Sequence, residues 1–470
     1  MTATKEIRPE NISHELAEAI SEEIPSVVLR SVYNENTVPS ESEWVTKNTA
    51  ILIFHGIGNQ LPLETLDQFG RGLAKEYSLR KDNDLSLHHC VIVKDKDSDS
   101  PWFDNIVRIK NKNSPHHIDI YEYYWANFTE DQASWTDISN WINGVVKGAK
   151  GFYKEQAALG KEFNDRSIFF DSKGQFNPTV YWLVLGVFTK IILLVNLAIS
   201  VLLKLLSYIP LIGSVATSML NAFLKLGASK LANVLGDICI YNVIDPKSKF
   251  YEIRRKILDG AVDSIKFLIE KRLESEQYKG LENKRIPREY ESVIIAGHSL
   301  GSQVSYDAIN KINLLVNQEM IDGYDAKGNC NNLAKTESIK KISDQLRGFV
   351  TFGSPLDKIV FFLREKTPPE QIFRQQLIEA YHCFKQQRWS TITIPPNLTL
   401  SMCIVRYLDD IGWRNYYDKK DYVSGRLDYY KNVANVQCDF PGVNLFSFTH
   451  SNYWEEKLMY RDLIKTVINA

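Results

Sequence analysis

An α/β fold with a mostly parallel sheet is the class this sequence predicts, and three observations predict it. Short uninterrupted apolar runs such as "AILIF" (50–54) and "ESVIIAG" (291–297) are rich in branched residues and closed by glycine, the composition of strands buried on both faces. Between such runs lie segments with apolar residues at helical spacing, and strands separated by helices imply parallel crossovers. A serine held between two glycines, in "GHSLG" (297–301), follows one of the runs directly. That places it at the carboxyl end of a strand, where open α/β sheets bind ligands.

The elements follow in order. Residues 1–25 read as an acidic amphipathic helix or tail, and "SVVLRSVYNE" (26–35) as an edge strand. "AILIF" is the first buried strand and runs into His55-Gly56-Ile57-Gly58-Asn59-Gln60. "HIDIYEYYWANF" (117–128) alternates in part and predicts a second strand, "ESVIIAG" a third, "LRGFVTFGSP" (346–355) a fourth and "LTLSMCIVRYLD" (398–409) a fifth. Helical spacing marks 249–274, 302–318, 368–387 and 453–468.

At 470 residues, the chain is long for one domain, so an inserted unit is expected. Its net charge of -1 gives no reason to invoke nucleic acid. Six scattered cysteines with no C-x-x-C pair fit reduced thiols, and the acidic N-terminal stretch has no apolar core of a secretory signal. Both point to the cytoplasm. The pairs His88-His89 and His116-His117 have no acidic or cysteine partner at ligand spacing, so no metal is expected.

One region breaks the pattern. Between Asp171 and Asp237 there is no acidic residue, and the only charges are Lys173, Lys190, Lys204, Lys225 and Lys230. Pro210 and Gly213 divide it into two expected helices near 179–208 and 214–235. The first would be about 43 Å long at about 1.5 Å per residue, enough to cross a bilayer. Two helices have trouble hiding so wide an apolar surface, which suits a membrane; a lid packed on the body is the other reading. Lys190 and Lys204 could snorkel to headgroups, and Tyr181-Trp182 sits where an interfacial anchor belongs.

The chemistry begins at Ser299. G-x-S-x-G forces a strand-to-helix turn that presents the hydroxyl and sets the N–H of Leu300 at a helix N-terminus, ready for an oxyanion. A serine needs a general base, and only His382 and His450 follow it. His382 falls inside a predicted helix, whereas His450 sits in a loop before the last one, so His450 is favoured. The acid that orients it should lie in a late loop. Asp421 is preferred, with Asp357 and Asp418 as alternatives and Asp409 and Asp410 also in range. The second oxyanion donor should come from Gly56 or Ile57, with His55 orienting that loop rather than acting as base.

Taken together, "ILIFHGIGNQ", "YEYYWAN", "VIIAGHSLGSQVSYDAI", "FGSPLDK", "WRNYYDKKDYV" and "THSNYW" resemble the α/β-hydrolase superfamily in its lipase and esterase branch. The resemblance covers about 50–130 and 245–468. It implies an α/β-hydrolase fold with serine, acid and histidine in this chain order, and an HG segment forming half the oxyanion hole. Where many relatives have Asp-Pro-Val in the acid loop, Tyr422 stands in place of proline. The expected organisation is an N-terminal extension (1–47), a catalytic domain (48–130 and 245–470) and an inserted, strongly apolar helical lid (131–244) with a membrane-interacting hairpin at about 179–235. The expected activity is hydrolysis of carboxylic esters of lipids, without a cofactor. A soluble esterase or thioesterase, or a non-catalytic membrane tether, are the alternatives.

Overall fold

The computed structural model describes residues 27–34, 36, 44–57, 61–81, 83–91, 105–130, 132–134, 137–138, 140–141, 177–183, 236–242, 247–273, 286–318, 342–357, 372–373, 384–385, 405–421, 423–427, 430–440 and 449–470. Its centre is a nine-stranded sheet of β1 (Val27–Val28), β2 (Thr49–Phe54), β3 (Leu85–Val91), β4 (Asn105–Asn111), β5 (His117–Tyr123), β6 (Ser292–His298), β7 (Leu346–Phe352), β8 (Gly412–Tyr417) and β9 (Val433–Gln437). The spatial order is β1-β9-β8-β7-β6-β2-β5-β4-β3. All neighbours are parallel except the β3/β4 and β4/β5 pairs at one edge.

Alternation along the central strands divides the core in two. Ala50, Leu52 and Phe54 of β2 face a layer that includes α2 (Tyr251–Glu270) and α3 (Leu300–Asn317), with Ile265, Val304 and Ile312 among the buried contacts. Ile51 and Ile53 face the opposite layer of α1 (Glu64–Ser78) and α4 (Lys457–Leu463), packed through Phe69, Leu73, Tyr460 and Leu463. Because both faces are covered, β2 and β6 are buried throughout. That is why they read as unbroken apolar runs. The chain is therefore an α/β protein.

Several expectations need correction. The edge strand at 26–35 is only two residues long and turns into a helix at Leu29–Val32. It pairs with β9 at the end of the sheet, so part of 1–47 belongs to the sheet. Of the expected strand 398–409, residues 398–404 lie outside the described residues, 405–406 are irregular and 407–409 belong to a turn. The strand beside β7 is instead "GWRNYY", to which no element is assigned in the sequence reading. Its polar Asn415 is buried yet satisfied, bonded to Thr351 Oγ1 at 3.0 Å and to Asn435 Oδ1 at 2.9 Å. The helix expected over 453–468 starts at Lys457, after a 3₁₀ stretch at Thr449–Glu455.

Most of the apolar stretch, including Lys190 and Lys204, lies outside the described residues, as do 1–25 and His382. At its entrance Asn177 caps a short helix, Pro178–Tyr181, and Trp182 and Leu183 are exposed. No helix among the described residues is long and apolar enough to cross a membrane. At its exit the chain returns to the body: Asn242 Oδ1 accepts from Gln303 on α3 at 2.7 Å, and Tyr241 Oη donates to Asp307 at 3.1 Å.

Candidate active site

The parallel register brings the candidate residues to one end of the sheet. Phe54 of β2 pairs with Gly297 of β6, so Gly56 and Ser299 each lie two residues beyond the same rung. A Cβ built on Gly56 would stand 2.8 Å from Ser299 Cβ, which measures how closely the "HG" segment approaches the serine. Phe352 of β7 pairs with His298, and its carbonyl accepts the Ser299 N–H at 3.1 Å. Gly353 follows at φ +60°; a Cβ there would meet His450 Cε1 at 3.0 Å and His298 Cδ2 at 3.2 Å.

Ser299 itself has φ 53° and ψ -128°, a left-handed backbone that is costly for a residue with a side chain. The surroundings hold it there: its N–H is bound to β7, and Ser302 Oγ donates to its carbonyl while resting 2.8 Å from Ser354 Oγ. The serine Oγ is buried and has no hydrogen-bond partner among the described residues. Leu300 is the first residue of α3, so its N–H faces out of the helix start beside that hydroxyl. Ile57 continues the strip from Gly56; Gly58, Asn59 and Gln60 lie outside the described residues.

His450 and Asp421 are joined directly. Nδ1 of the imidazole lies 2.8 Å from Asp421 Oδ2, with both side chains buried. Burial alone would raise the Asp421 pKa, but the hydrogen bond and charge of His450, with the Val423 N–H on Oδ1 at 2.9 Å, hold it well below the usual carboxylate range. An ionised carboxylate only accepts, so Nδ1 carries the proton and Nε2 is the basic nitrogen. Among the candidate acids, geometry selects Asp421. Asp418 Oδ2 caps the Phe440 N–H at 2.8 Å and its Oδ1 the Lys420 N–H at 2.7 Å, which makes it a turn residue. Asp357 is buried after β7, but the Nδ1 position is already taken. Asp409 and Asp410 precede β8, at the other end of the sheet.

Two histidines complete the surroundings. His55 is buried, and its Nε2 accepts the backbone N–H groups of Trp125 at 2.9 Å and Ala126 at 3.3 Å. Its Nδ1 must then be the protonated nitrogen, donating to the Gly56 carbonyl at 2.7 Å. Burial lowers its pKa to about 4, so it is neutral and braces the loop that follows β2. His298 was not singled out in sequence. Its Nε2–H donates to the His450 carbonyl at 3.0 Å and its ring packs 4.9 Å from that of His450. Burial, with His450 second, lowers its pKa to about 3. The residue before Ser299 thus ties the strand-to-helix turn to the loop of His450.

Beside Ile53 of β2, Glu122 of β5 is buried against the start of α1. Burial raises its pKa to about 7, only partly opposed by Thr65 and the backbone of Leu63 and Leu66. A carboxyl that holds its proton more tightly when folded favours the fold at low pH. That contribution fades as pH climbs from about 4.5, the unfolded value, through about 7. Glu122→Gln should therefore raise the thermal midpoint at pH 8 and leave it nearly unchanged at pH 5. Equal shifts at both pH values in thermal melts would contradict this.

The far end of the sheet holds a second charged cluster. His117, Asp119 and Glu289 lie close enough together to resemble a cation site, so His117 does have acidic neighbours, which its sequence spacing hid. The residues do not fit one. Arg108 grips Asp119 through Nε and Nη2, both at 2.6 Å, and Tyr290 Oη donates to the same carboxylate at 2.6 Å. A guanidinium there supplies the positive charge a cation would bring.

Compared with protein-family models, with curated proteins and with solved structures, the chain matches none.

Proposed function

We propose that the protein is a serine hydrolase of α/β-hydrolase type that cleaves carboxylic esters of lipids at a membrane, using Ser299, His450 and Asp421. The observation that carries this reading is the coincidence of a left-handed serine at a strand-to-helix turn with a buried Asp–His couple whose imidazole packs on the adjoining residue. A strained backbone kept in place by several hydrogen bonds marks a functional position more often than a structural one.

In this reading, His450 Nε2 takes the Ser299 proton as Oγ attacks the ester carbonyl, and Asp421 stabilises the imidazolium. The tetrahedral oxyanion rests on the N–H groups of Leu300 and Ile57, with Gly56 allowing the close approach. The alcohol leaves with the proton from His450. Water, activated by the same nitrogen, then releases the fatty acid and restores the serine. The apolar stretch, with exposed Trp182 and Leu183 at its entrance, would form the lid and the membrane contact.

Purified protein incubated with a fluorophosphonate and digested should carry the adduct on Ser299. With diacyl phospholipid vesicles, mass spectrometry should detect released fatty acid and lysolipid. Labelling without lipid turnover, but with turnover of short-chain esters, would point to a soluble esterase. No label and no turnover would leave a non-catalytic tether.

A further inference from the structure

We propose that Tyr453 is a positioning residue for the Asp421–His450 couple: its hydroxyl fixes the carboxylate and sets how strongly the imidazole holds its proton. The proposal rests on the hydrolase reading only for its effect on rate; its effect on His450 is independent of any substrate.

The local geometry follows from the helix type. His450 and Tyr453 are three residues apart in the 3₁₀ segment Thr449–Glu455. With three residues per turn, side chains at i and i+3 eclipse, whereas an α-helix would offset them by about 60°. Both therefore reach one oxygen. Asp421 Oδ2 meets His450 Nδ1 at 2.8 Å and Tyr453 Oη at 3.0 Å. The sequence signature is H-x-x-Y, which means nothing unless the turn is known to be 3₁₀.

The phenol donates to the carboxylate. Tyr453 Oη also accepts the backbone N–H of Asp418 at 3.0 Å and lies 2.9 Å from Ser424 Oγ. A phenol has one hydrogen and two lone pairs. An amide N–H can only donate to it and an ionised carboxylate can only accept from it. With its hydrogen on Asp421, the phenol offers its second lone pair to the Ser424 hydroxyl, which also bonds the Asp421 carboxylate. Burial above all, then the charge of Asp421, keeps the phenol pKa well above its usual value, so it remains a donor at any working pH.

The ring cannot swing away. It packs on Phe440 with centroids 5.0 Å apart and on His298 at 6.1 Å, and its Cε2 edge fills the space a side chain on Gly353 would need. Among the described residues, the titratable groups seen against His450 are Asp421 and His298; Asp418 and Cys438 stand behind Tyr453. His298 is neutral, so Asp421 dominates the field on the imidazole.

The consequence has a definite sign. A donor on Oδ2 disperses the carboxylate charge that stabilises the imidazolium. Removing it concentrates that charge on His450 and raises the histidine pKa. A stronger donor lowers it. The test is NMR titration of carbon-13-labelled histidine in the full chain, with His450→Ala to assign the signal. Tyr453→Phe should raise the His450 titration point by about half a pH unit. The same protein with 3,5-difluorotyrosine at 453, nearly the same shape but a stronger donor, should move it the other way. Where ester turnover is measurable, Tyr453→Phe should lower kcat about tenfold with KM unchanged, and its acid limb should move with the titration.

Shifts of opposite sign support the proposal. A titration point that stays put, or moves the same way in both proteins, overturns it even if Tyr453→Phe melts earlier, because then the tyrosine only packs. Should the phenylalanine variant not fold, the fluorinated protein alone decides. Absence of the Ser299 adduct would sink the hydrolase reading without touching this result.

Discussion

Ser299→Ala should reduce ester turnover by about a millionfold, the scale seen when a triad serine is removed, and should abolish the phosphonate adduct while the protein stays folded. The size follows from chemistry. Without Oγ there is no acyl-enzyme, and His450 is left to activate water against an ester not placed for it. What remains is the stabilisation from the N–H groups of Leu300 and Ile57 and from binding. The stability expectation follows from geometry. Ser299 Oγ makes no hydrogen bond among the described residues, so its loss orphans nothing. Alanine keeps the strain of φ 53°, whereas Ser299→Gly relieves it and should melt higher than either. Turnover and labelling retained in Ser299→Ala, in protein made without contaminating esterase, would remove the nucleophile from this position.

What the sequence reveals of this protein depends on which interactions are local. β2, β6 and β7 are legible because burial on both faces leaves their centres mostly apolar. The elbow is legible for a related reason: strand, tight turn and helix follow one another within a few residues, and each step leaves its mark in "IIAGHSLGS". β8 is not, because Asn415 is satisfied by Thr351 and Asn435 on neighbouring strands, and a buried polar residue looks like a loop residue until its partners are known. The same limit governs the acid. Asp418 and Asp421 stand three residues apart in one turn. Only the direction of the turn gives one the Phe440 and Lys420 amides and the other the imidazole. Spacing predicted that an aspartate would be here; tertiary hydrogen bonds decide which.

His298 and Tyr453 escaped for a further reason. Their roles are to hold other residues, His450 through its carbonyl and Asp421 through its carboxylate, and neither role needs a motif. Four elements (the elbow, the β7 turn, the β8 turn and the 3₁₀ segment) thus converge on a few side chains, and the couple is held from behind as well as at its ends. An arrangement of this kind tolerates little displacement: a shift of about 1 Å between reacting groups costs on the order of a hundredfold in rate.

That intolerance gives the second large expectation, at Gly301. This residue is in the first turn of α3, where the helix crosses the end of β2. A Cβ there would collide with the carbonyl oxygens of Phe54 and His55 and lie 2.7 Å from the Phe54 carbonyl carbon. These are backbone atoms of a central strand, so no rotamer change can absorb the clash. Either α3 lifts away from β2 or the strand end moves. Gly301→Ala should cost about 3 kcal/mol or more, the upper range for forcing extra volume into a packed core. The same movement separates Leu300 from Gly56 and Ile57, the two halves of the proposed oxyanion site. Variant protein that still folds should therefore turn over ester at least about a hundredfold more slowly, mainly through kcat. Gly412→Ala is the matched control: it lies at the start of β8, and a Cβ there meets nothing within 4 Å. It should melt close to the parent and keep full turnover. Equal melting of the two variants would mean that the helix does not press on β2 as closely as the geometry requires. The closeness of the two proposed oxyanion donors would then need another source.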